Sequence, residues 1–291
     1  MNARGKSFRF VQFELPGRLG IDDGRYLLRT DRPAGEEAVV VIQTLGAPPP
    51  RRRARRRRPR RAEADSTPEL PLTRLTVIPA EPGPASESAR ELERIARDPD
   101  AAEAAVAAGL RSANRILGVH RVVTADPYGH EISRDATLVT RVGYGAGEEV
   151  ADGRWEDALE IPPPERRLRR VEALRPQERL AAVLARRESI DVCERLLLRA
   201  RADLDQGRLR EAALQLRVGI EAMLAELPGR YGRDQDQDLA ALERRREATV
   251  ALADEALRSA PPPGSADEIA ETLAICERVL RRRRILAGDE G

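Results

Sequence analysis

Residues 190–227 read IDVCERLLLRARADLDQGRLREAALQLRVGIEAMLAEL, a run of leucine, isoleucine and alanine with charged residues between them. The apolar residues recur every three to four positions on both sides of Gly207, which is the spacing of two amphipathic helices joined by a tight turn. Similar spacing continues from about residue 176 to residue 288, broken at Pro228-Gly229 and at residues 261–263. Short connections favour antiparallel neighbours. Residues 165–291 are therefore predicted to form an all-α helical bundle of about four helices.

The first predicted helix of this bundle extends across residue 190, with apolar positions both before and after that residue. The last helix begins at Ser265, which forms a capping-box pattern with Glu268. Cys193 and Cys276 occupy apolar positions of these helices and are predicted to be buried structural thiols. The apolar positions assigned to the first helix are Leu184, Ile190, Cys193, Leu197, Ala200 and Leu204.

The first half of the chain has a different pattern, which predicts an α+β domain over residues 1–47 and 72–160. Runs of β-branched and aromatic residues predict strands, and Ser88 with Glu91 marks the start of a helix. A second, alanine-rich helix is predicted to stop at Gly118. The predicted strands cover residues 7–15, 25–29, 38–42, 72–78, 120–124 and 137–142, and the predicted helices cover 88–97 and 101–117.

Residues 48–71 interrupt this domain with proline, arginine and small polar residues. A segment of this composition cannot bury enough apolar surface to form a core, so it is predicted to be a disordered linker inserted into the α+β domain. Lys6 is the only lysine among 51 basic residues, which makes arginine the default surface cation of this chain. Clusters of arginine therefore carry less functional information here than in most proteins.

Composition excludes several classes of protein. The chain has 291 residues, a net charge of +2 and only two cysteines, which excludes a disulfide framework and most structural zinc sites. No apolar run approaches the roughly 18 residues that a membrane span requires. The first residues lack the apolar stretch of a secretory signal, so a cytoplasmic location is expected. No cofactor and no metal site are predicted.

The arginine tract within residues 51–61 is the one strongly cationic element of the sequence. Nine arginines lie in eleven residues, while the rest of the chain has 42 basic and 49 acidic residues, a net charge of −7. Such a tract neutralises phosphates and binds nucleic acid without sequence preference. The alternative is a solvated linker without a ligand. The candidate polyanion-binding residues are Arg51, Arg52, Arg53, Arg55, Arg56, Arg57, Arg58, Arg60 and Arg61.

Residues 6–13, with Phe8, Phe10 and Phe13, resemble the signature of the RNA-recognition motif, in which aromatic side chains stack on bases. This resemblance implies an RNA-binding platform. The sequence departs from the signature at Ser7 and Arg9. The other interpretation is an N-terminal strand whose phenylalanines fill the core.

The hairpin of residues 196–227 resembles one tetratricopeptide repeat in the spacing of its large and small residues. The resemblance implies a groove that binds peptides. No second copy follows at a period of 34 residues, and a plain helical bundle has the same alternation of large and small residues. The positions that carry the resemblance are Leu196, Ala200, Gly207, Ala212, Leu216 and Gly219.

The segment from His120 to Asp135 holds both histidines of the chain and several carboxylates. A histidine beside a carboxylate serves in acid–base catalysis or metal binding, so His120, Asp126 and His130 are the catalytic candidates if the chain is an enzyme. Residues 126–129 also have the composition of an ordinary turn. Residues 143–147, rich in glycine, are predicted to form a flexible turn rather than a phosphate-binding loop, because Glu148 and Glu149 follow.

Three functions follow from these patterns. The first is a non-enzymatic interaction or adaptor protein whose C-terminal helical domain binds a protein partner or self-associates. The alternative is nonspecific nucleic-acid binding through residues 51–61. The third is an enzyme that uses the segment from His120 to Asp135, which the scarcity of histidine and the lack of a recognisable nucleophile disfavour.

Overall fold

The computed structural model describes residues 6–29, 37–46, 70–163, 170–227, 232–262 and 264–289. The chain forms two compact units, residues 1–165 and 166–291. The first unit contains an antiparallel sheet with helices, and the described part of the second contains only helices. The chain is therefore α+β in the broad sense that the sequence predicts. The arginine tract of residues 51–61 lies outside the described residues.

Seven strands form the sheet of the first unit. In chain order they are β1 (Lys6–Pro16), β2 (Gly24–Leu28), β3 (Ala38–Leu45), β4 (Leu72–Pro79), β5 (Gly83–Pro84), β6 (Val139–Gly145) and β7 (Asp157–Glu160). The order in space is β2-β3-β4-β1-β6-β7, all neighbours are antiparallel, and β5 pairs with the start of β1. Strand β1 therefore lies inside the sheet, between β4 and β6.

The described part of the same unit contains three α-helices: α1 (Ala85–Arg97), α2 (Pro99–Val123) and α3 (Gly147–Ala151). Because successive side chains of a strand point to opposite faces, β1 contributes to two cores. Phe13 lies in the larger core with Val106 and Leu110 of α2. Phe10 lies in the smaller core with Val150 of α3. Both faces of the sheet are thus covered along β1.

Gly109 sets the closest approach of α2 to the sheet. A Cβ atom added at this position would lie 2.9 Å from Cβ of Val11 and 3.1 Å from Cζ of Phe13. A larger residue would push the helix away from β1, which costs van der Waals contacts in the larger core. The absence of a side chain at Gly109 is therefore a packing requirement.

The predicted strand at residues 120–124 is wrong, because α2 continues past Gly118 to Val123. A Cβ at Gly118 would meet nothing within 4 Å, and an isolated glycine costs a helix only about 1 kcal/mol relative to alanine. Burial of Ile116 and Leu117 against the sheet keeps this part of the helix in place. The β-branched Val122 and Val123, which suggested a strand, form its exposed last turn.

Two other local predictions in the first unit need correction. Helix α1 begins at Ala85, so Ser88 lies inside the helix and is buried instead of capping it. The glycine-rich stretch at residues 143–147 is not a flexible turn, because Gly143 and Gly145 belong to β6 and Gly147 begins α3. A Cβ at Gly143 would lie 2.5 Å from the backbone oxygen of Asp157 in the neighbouring strand. These glycines allow close strand approach.

The second unit contains five helices in its described part: α4 (Arg170–Leu184), α5 (Val192–Asp205), α6 (Leu209–Glu226), α7 (Gly232–Arg258) and α8 (Ser265–Asp289). Gly207, with φ of +73°, makes the turn between α5 and α6. This left-handed conformation favours glycine because it has no Cβ. The start of the last helix at Ser265 agrees with the prediction.

Ion pairs define how α5, α6, α7 and α8 are aligned. Arg217 of α6 contacts Asp254 of α7, and Glu221, one turn later in α6, contacts Arg246, which lies two turns earlier in α7. Since the higher number in one helix pairs with the lower number in the other, these neighbours are antiparallel. The same reversal holds for α7 with α8 and for α5 with α8, through Arg245–Glu271, Arg282–Asp238, Arg201–Glu277 and Arg283–Asp191.

One aliphatic core joins these four helices. Gly219 of α6 packs directly against α5, since a Cβ there would lie 2.8 Å from Cδ2 of Leu197. Small side chains at such crossings allow helices to approach closely. The core includes Cys193, Leu197 and Ala200 of α5, Leu216, Ile220 and Met223 of α6, Leu242 and Ala256 of α7, and Ile269, Leu273 and Cys276 of α8.

The prediction of one helix through residues 184–204 is wrong. Helix α4 ends at Leu184, and α5 begins at Val192 after a connection in which Arg186 has φ of +57°. Leu184 is 75% exposed and Ile190 is 41% exposed, so the apolar spacing across this connection does not mark a buried face. None of the described helices is both long and apolar enough to cross a membrane.

Candidate functional site

The histidine-containing segment lies at the end of α2 and in the loop that follows. Asp126 accepts a hydrogen bond from the backbone N–H of Tyr128 at 2.9 Å, which makes the turn that the sequence predicts. His130 and Asp126 are exposed, and His120 is half-buried near the helix end. The only set of three potential metal ligands among the described residues lies in the second unit. His120, Asp126 and His130 therefore do not form such a set in the described structure.

A buried asparagine holds the same loop against α2. The side chain of Asn114 donates to the backbone oxygen of Ile132 at 2.9 Å and accepts from the backbone N–H of Ile132 at 2.7 Å. This pair satisfies both polar groups of a buried amide and inserts Ile132 into the larger core. These two hydrogen bonds hold the loop in its conformation.

The segment that resembles an RNA-recognition motif forms the start of β1. Phe10 and Phe13 are at most 1% exposed, and they belong to cores on opposite faces of the sheet. Base stacking requires an exposed aromatic ring. The interpretation of these phenylalanines as core residues is confirmed for Phe10 and Phe13.

A polar network beside Phe10 is a feature that the sequence analysis missed. Glu14 Oε1 accepts hydrogen bonds from Arg141 at 2.9 Å and from Arg74 at 3.3 Å, and Gln12 donates to Thr76 at 3.0 Å. The three strands β1, β4 and β6 bring these residues to one face. Strand spacing alone does not reveal cross-strand partners, so no local signal predicts the network. Its charges are paired with one another, and this pairing ties the three strands together.

Cys193 lies within a group of potential metal ligands. One carboxylate oxygen each of Asp191 and Glu226 and the sulfur of Cys193 lie within 4.8 Å of one another. Each carboxylate has another partner: Glu226 accepts from the backbone N–H groups of Val192 and Cys193 at 3.2 and 3.1 Å, and Asp191 contacts Arg283. Glu226, at the end of α6, thus caps the first turn of α5.

Burial controls the ionisation of both cysteines. Burial, together with the nearby Glu226 carboxylate, raises the pKa of the Cys193 thiol to about 12. Burial likewise raises the pKa of Cys276 to about 12. Both cysteines are completely buried, as predicted, and their surroundings are those of structural thiols.

The exposed apolar residues of the second unit are concentrated near the junction of α4 and α5. Five of the seven large apolar side chains that are exposed in the described part of this unit lie between residues 180 and 198. Monomeric proteins normally scatter such residues singly, whereas five of them lie within nineteen positions here. We call these residues the α4–α5 surface: Leu180, Leu184, Ile190, Val192 and Leu198.

Sequence reasoning missed this surface because it assigned Leu184 and Ile190 to a buried helix face. A signal was present in the run Leu196-Leu197-Leu198, since three consecutive leucines on a helix cannot all face one core. Leu197 is buried among the other helices, whereas Leu198 is 72% exposed.

Comparison with known protein families, with curated proteins and with solved structures finds no match to this chain.

Proposed function

We propose that this chain is a cytoplasmic, non-enzymatic interaction protein that binds a partner protein through its C-terminal helical unit. Helices α5 to α8 serve as a four-helix bundle that holds the binding surface rigid. The observation that supports the proposal is the concentration of exposed apolar side chains at the α4–α5 surface. Large exposed leucines are costly in water and are retained where a partner covers them.

Helix α4 supports the same proposal. Arg179 connects α4 to the residues that follow it, because its guanidinium donates hydrogen bonds to Glu188 at 2.6 Å and to Glu194 at 2.8 Å. Leu180 and Leu184, one turn apart, remain more than half exposed. An amphipathic helix of this kind presents its apolar residues to a second protein, as helix-in-groove complexes do.

Site-specific photo-crosslinking in the full chain tests the proposal. A crosslinking residue at position 184 or 198 is expected to give an adduct with a second polypeptide, and the same residue at Leu257 serves as the matched exposed control. Light scattering of the purified chain should give the monomer mass. Adducts only between copies of this chain, with a dimer mass, would favour self-association, and equal adducts at all three positions would contradict the proposal.

The arginine tract supports a second candidate function, nonspecific nucleic-acid binding. Nine positive charges stand against a net charge of −7 in the rest of the chain, so any affinity for a polyanion is expected to depend on residues 51–61. Fluorescence anisotropy with a DNA duplex at about 50 and 200 mM salt tests this function. Binding that weakens steeply with salt and disappears when the tract is replaced by Gly and Ser would support it, and equal weak binding by both proteins would exclude it.

A further inference from the structure

The outward face of α5 carries positive charge beside its apolar residues. Cys193, Leu197 and Ala200 point into the core, which leaves the opposite side of the helix to solvent. Exposed residues at helical spacing form that side: Val192, Arg195, Leu198, Arg199 and Ala202. Residues three and four apart on a helix are neighbours, so Leu198 lies next to Arg195 and Ala202.

The arginines of this region have no carboxylate partner. Among the described residues, Arg195 and Arg199 of α5 form no ion pair, and neither do Arg186 and Arg187 in the connection between α4 and α5. Exposed arginines outside any ion pair are common elsewhere in the described part of the second unit, so what distinguishes this region is the presence of exposed leucines beside them. Over residues 176–199, Glu178 is the one described carboxylate outside an ion pair. The α4–α5 surface is therefore both apolar and cationic.

This charge decides between a second copy of the chain and a different partner. A symmetric dimer would place the same patch on both sides of the interface, and so would bring the unpaired arginines of both copies into one interface. Like charges in an interface cost free energy and disfavour that complex. A helix with leucines on one side and carboxylates along its edges supplies both missing partners.

We infer that the α4–α5 surface binds an acidic amphipathic helix of a partner protein, an inference that rests on the function proposed above. Leu184 and Leu198 contact the apolar side of the bound helix. Arg195 and Arg199, with Arg186 and Arg187, contact the carboxylates at its edges. The apolar contacts provide affinity, and the arginines select acidic over basic partners.

Binding of designed peptides to the full chain tests this inference. The probe is a fluorescein-labelled 18-residue peptide with leucine at helical spacing and glutamate elsewhere. A second peptide has lysine in place of every glutamate, and a third has the first composition in scrambled order. Anisotropy is expected to show saturable 1:1 binding of the acidic peptide, weaker by about tenfold or more for the lysine and scrambled peptides.

Variants of the protein connect this binding to the surface. The double variant Arg195→Glu, Arg199→Glu is expected to bind the acidic peptide about tenfold more weakly and the lysine peptide more tightly. Leu198→Gln should weaken both peptides. The matched controls are Arg244→Glu and Leu257→Gln, exposed positions on α7 that should leave affinity unchanged.

The outcomes separate this inference from the proposed function. Equal binding of acidic and lysine peptides, lost in Leu198→Gln, would retain an apolar docking surface but overturn the acidic partner. Binding of the acidic peptide that the α7 control variants weaken as much as the α5 variants would overturn the location. Absence of binding by every peptide would overturn the inference, while crosslinks at positions 184 and 198 would still support the proposed function.

Discussion

Strand β1 and helix α5 are central elements of their units, but they differ in what they leave exposed. Strand β1 buries Phe13 on one face of the sheet and Phe10 on the other, and Gln12 between them is also buried. Helix α5 buries one side and leaves Leu198 and Arg195 on the other. The comparison shows that both faces of β1 are used inside its own unit, whereas α5 keeps one side exposed.

The cores of the two units also differ in composition. Seven of the eight aromatic residues lie in the first 160 residues, and the core of the described helices contains none. Trp155, whose ring lies 5.7 Å from the Phe10 ring, is the only tryptophan. Its fluorescence therefore reports on the first unit, whereas far-UV circular dichroism reports on the helices of both units, most of which belong to the second. A circular dichroism transition that differs from the fluorescence transition is thus assigned to the second unit.

The largest expected effect is in the sheet. Phe13→Ala removes a completely buried ring and should lower the free energy of unfolding of the first unit by about 3–5 kcal/mol. Urea unfolding followed by Trp155 fluorescence measures it. Leu198→Ala, on the exposed side of α5, is the matched control and should change the circular dichroism transition by less than about 0.5 kcal/mol. Similar losses in both variants would remove the contrast between β1 and α5.

The next effect concerns a buried charge in the helical unit. Arg283→Met leaves Asp191 without its cation while the carboxylate remains mostly buried, so the second unit should lose about 3 kcal/mol. The transition followed by circular dichroism measures this loss. Arg244→Met, at an exposed position outside any ion pair in the described residues, should be nearly neutral. Equal effects would mean that the Asp191–Arg283 contact does not hold α5 to α8.

Close packing between α5 and α6 predicts a smaller loss. Gly219→Val places a side chain within 2.8 Å of the Leu197 side chain and should cost about 1–3 kcal/mol. The same circular dichroism measurement applies. Leu197→Ala removes the clashing atoms but also buried apolar side chain, so the double variant should lose less than the sum of the losses of the two single variants. No loss in the single variant would show that the two helices separate without cost.

Substitution of Gly118 in α2 should increase the free energy of unfolding, unlike the changes above. Gly118→Ala adds a methyl group that meets nothing within 4 Å, in a residue whose φ is helical. Alanine restricts the unfolded chain and favours the helix, so the first unit should gain about 0.5–1 kcal/mol. Thermal unfolding monitored by Trp155 fluorescence measures the gain. A loss would indicate that α2 does not continue through this position.

The smallest expected effect on stability comes from ionisation of the buried thiols, and it is absent at neutral pH. Burial raises the pKa of Cys276 from 9.0 to about 12, so the folded state holds its proton more tightly than the unfolded state does. The contribution of this thiol to the free energy of unfolding is fully present below pH 9 and decreases as the pH rises towards 12. Urea unfolding between pH 8 and 10 should show this decline, and Cys276→Ala should reduce it. Rapid alkylation of the native protein at pH 8 would contradict the buried thiols.

Local sequence patterns predicted much of the fold and little of the site. The strands through Phe13 and through residues 38–42 and 72–78 are confirmed, because β-branched and aromatic runs reflect how these side chains pack on a sheet. The predicted strand at residues 120–124 is wrong because the strand preference of Val122 and Val123 is overridden by α2, which continues to Val123. The α4–α5 surface was missed because apolar spacing does not show which residues face a core.

Features whose signals act within a few residues can be read from the amino-acid sequence. These are the α+β character, the buried cysteines, the turn at Gly207 and the start of the last helix at Ser265. Contacts between distant residues are what make Glu226 cap α5 and bury Leu197 while Leu198 is exposed. Backbone preferences depend on neighbouring residues, whereas capping between helices, ion pairing and burial depend on distances in space between residues far apart in the chain.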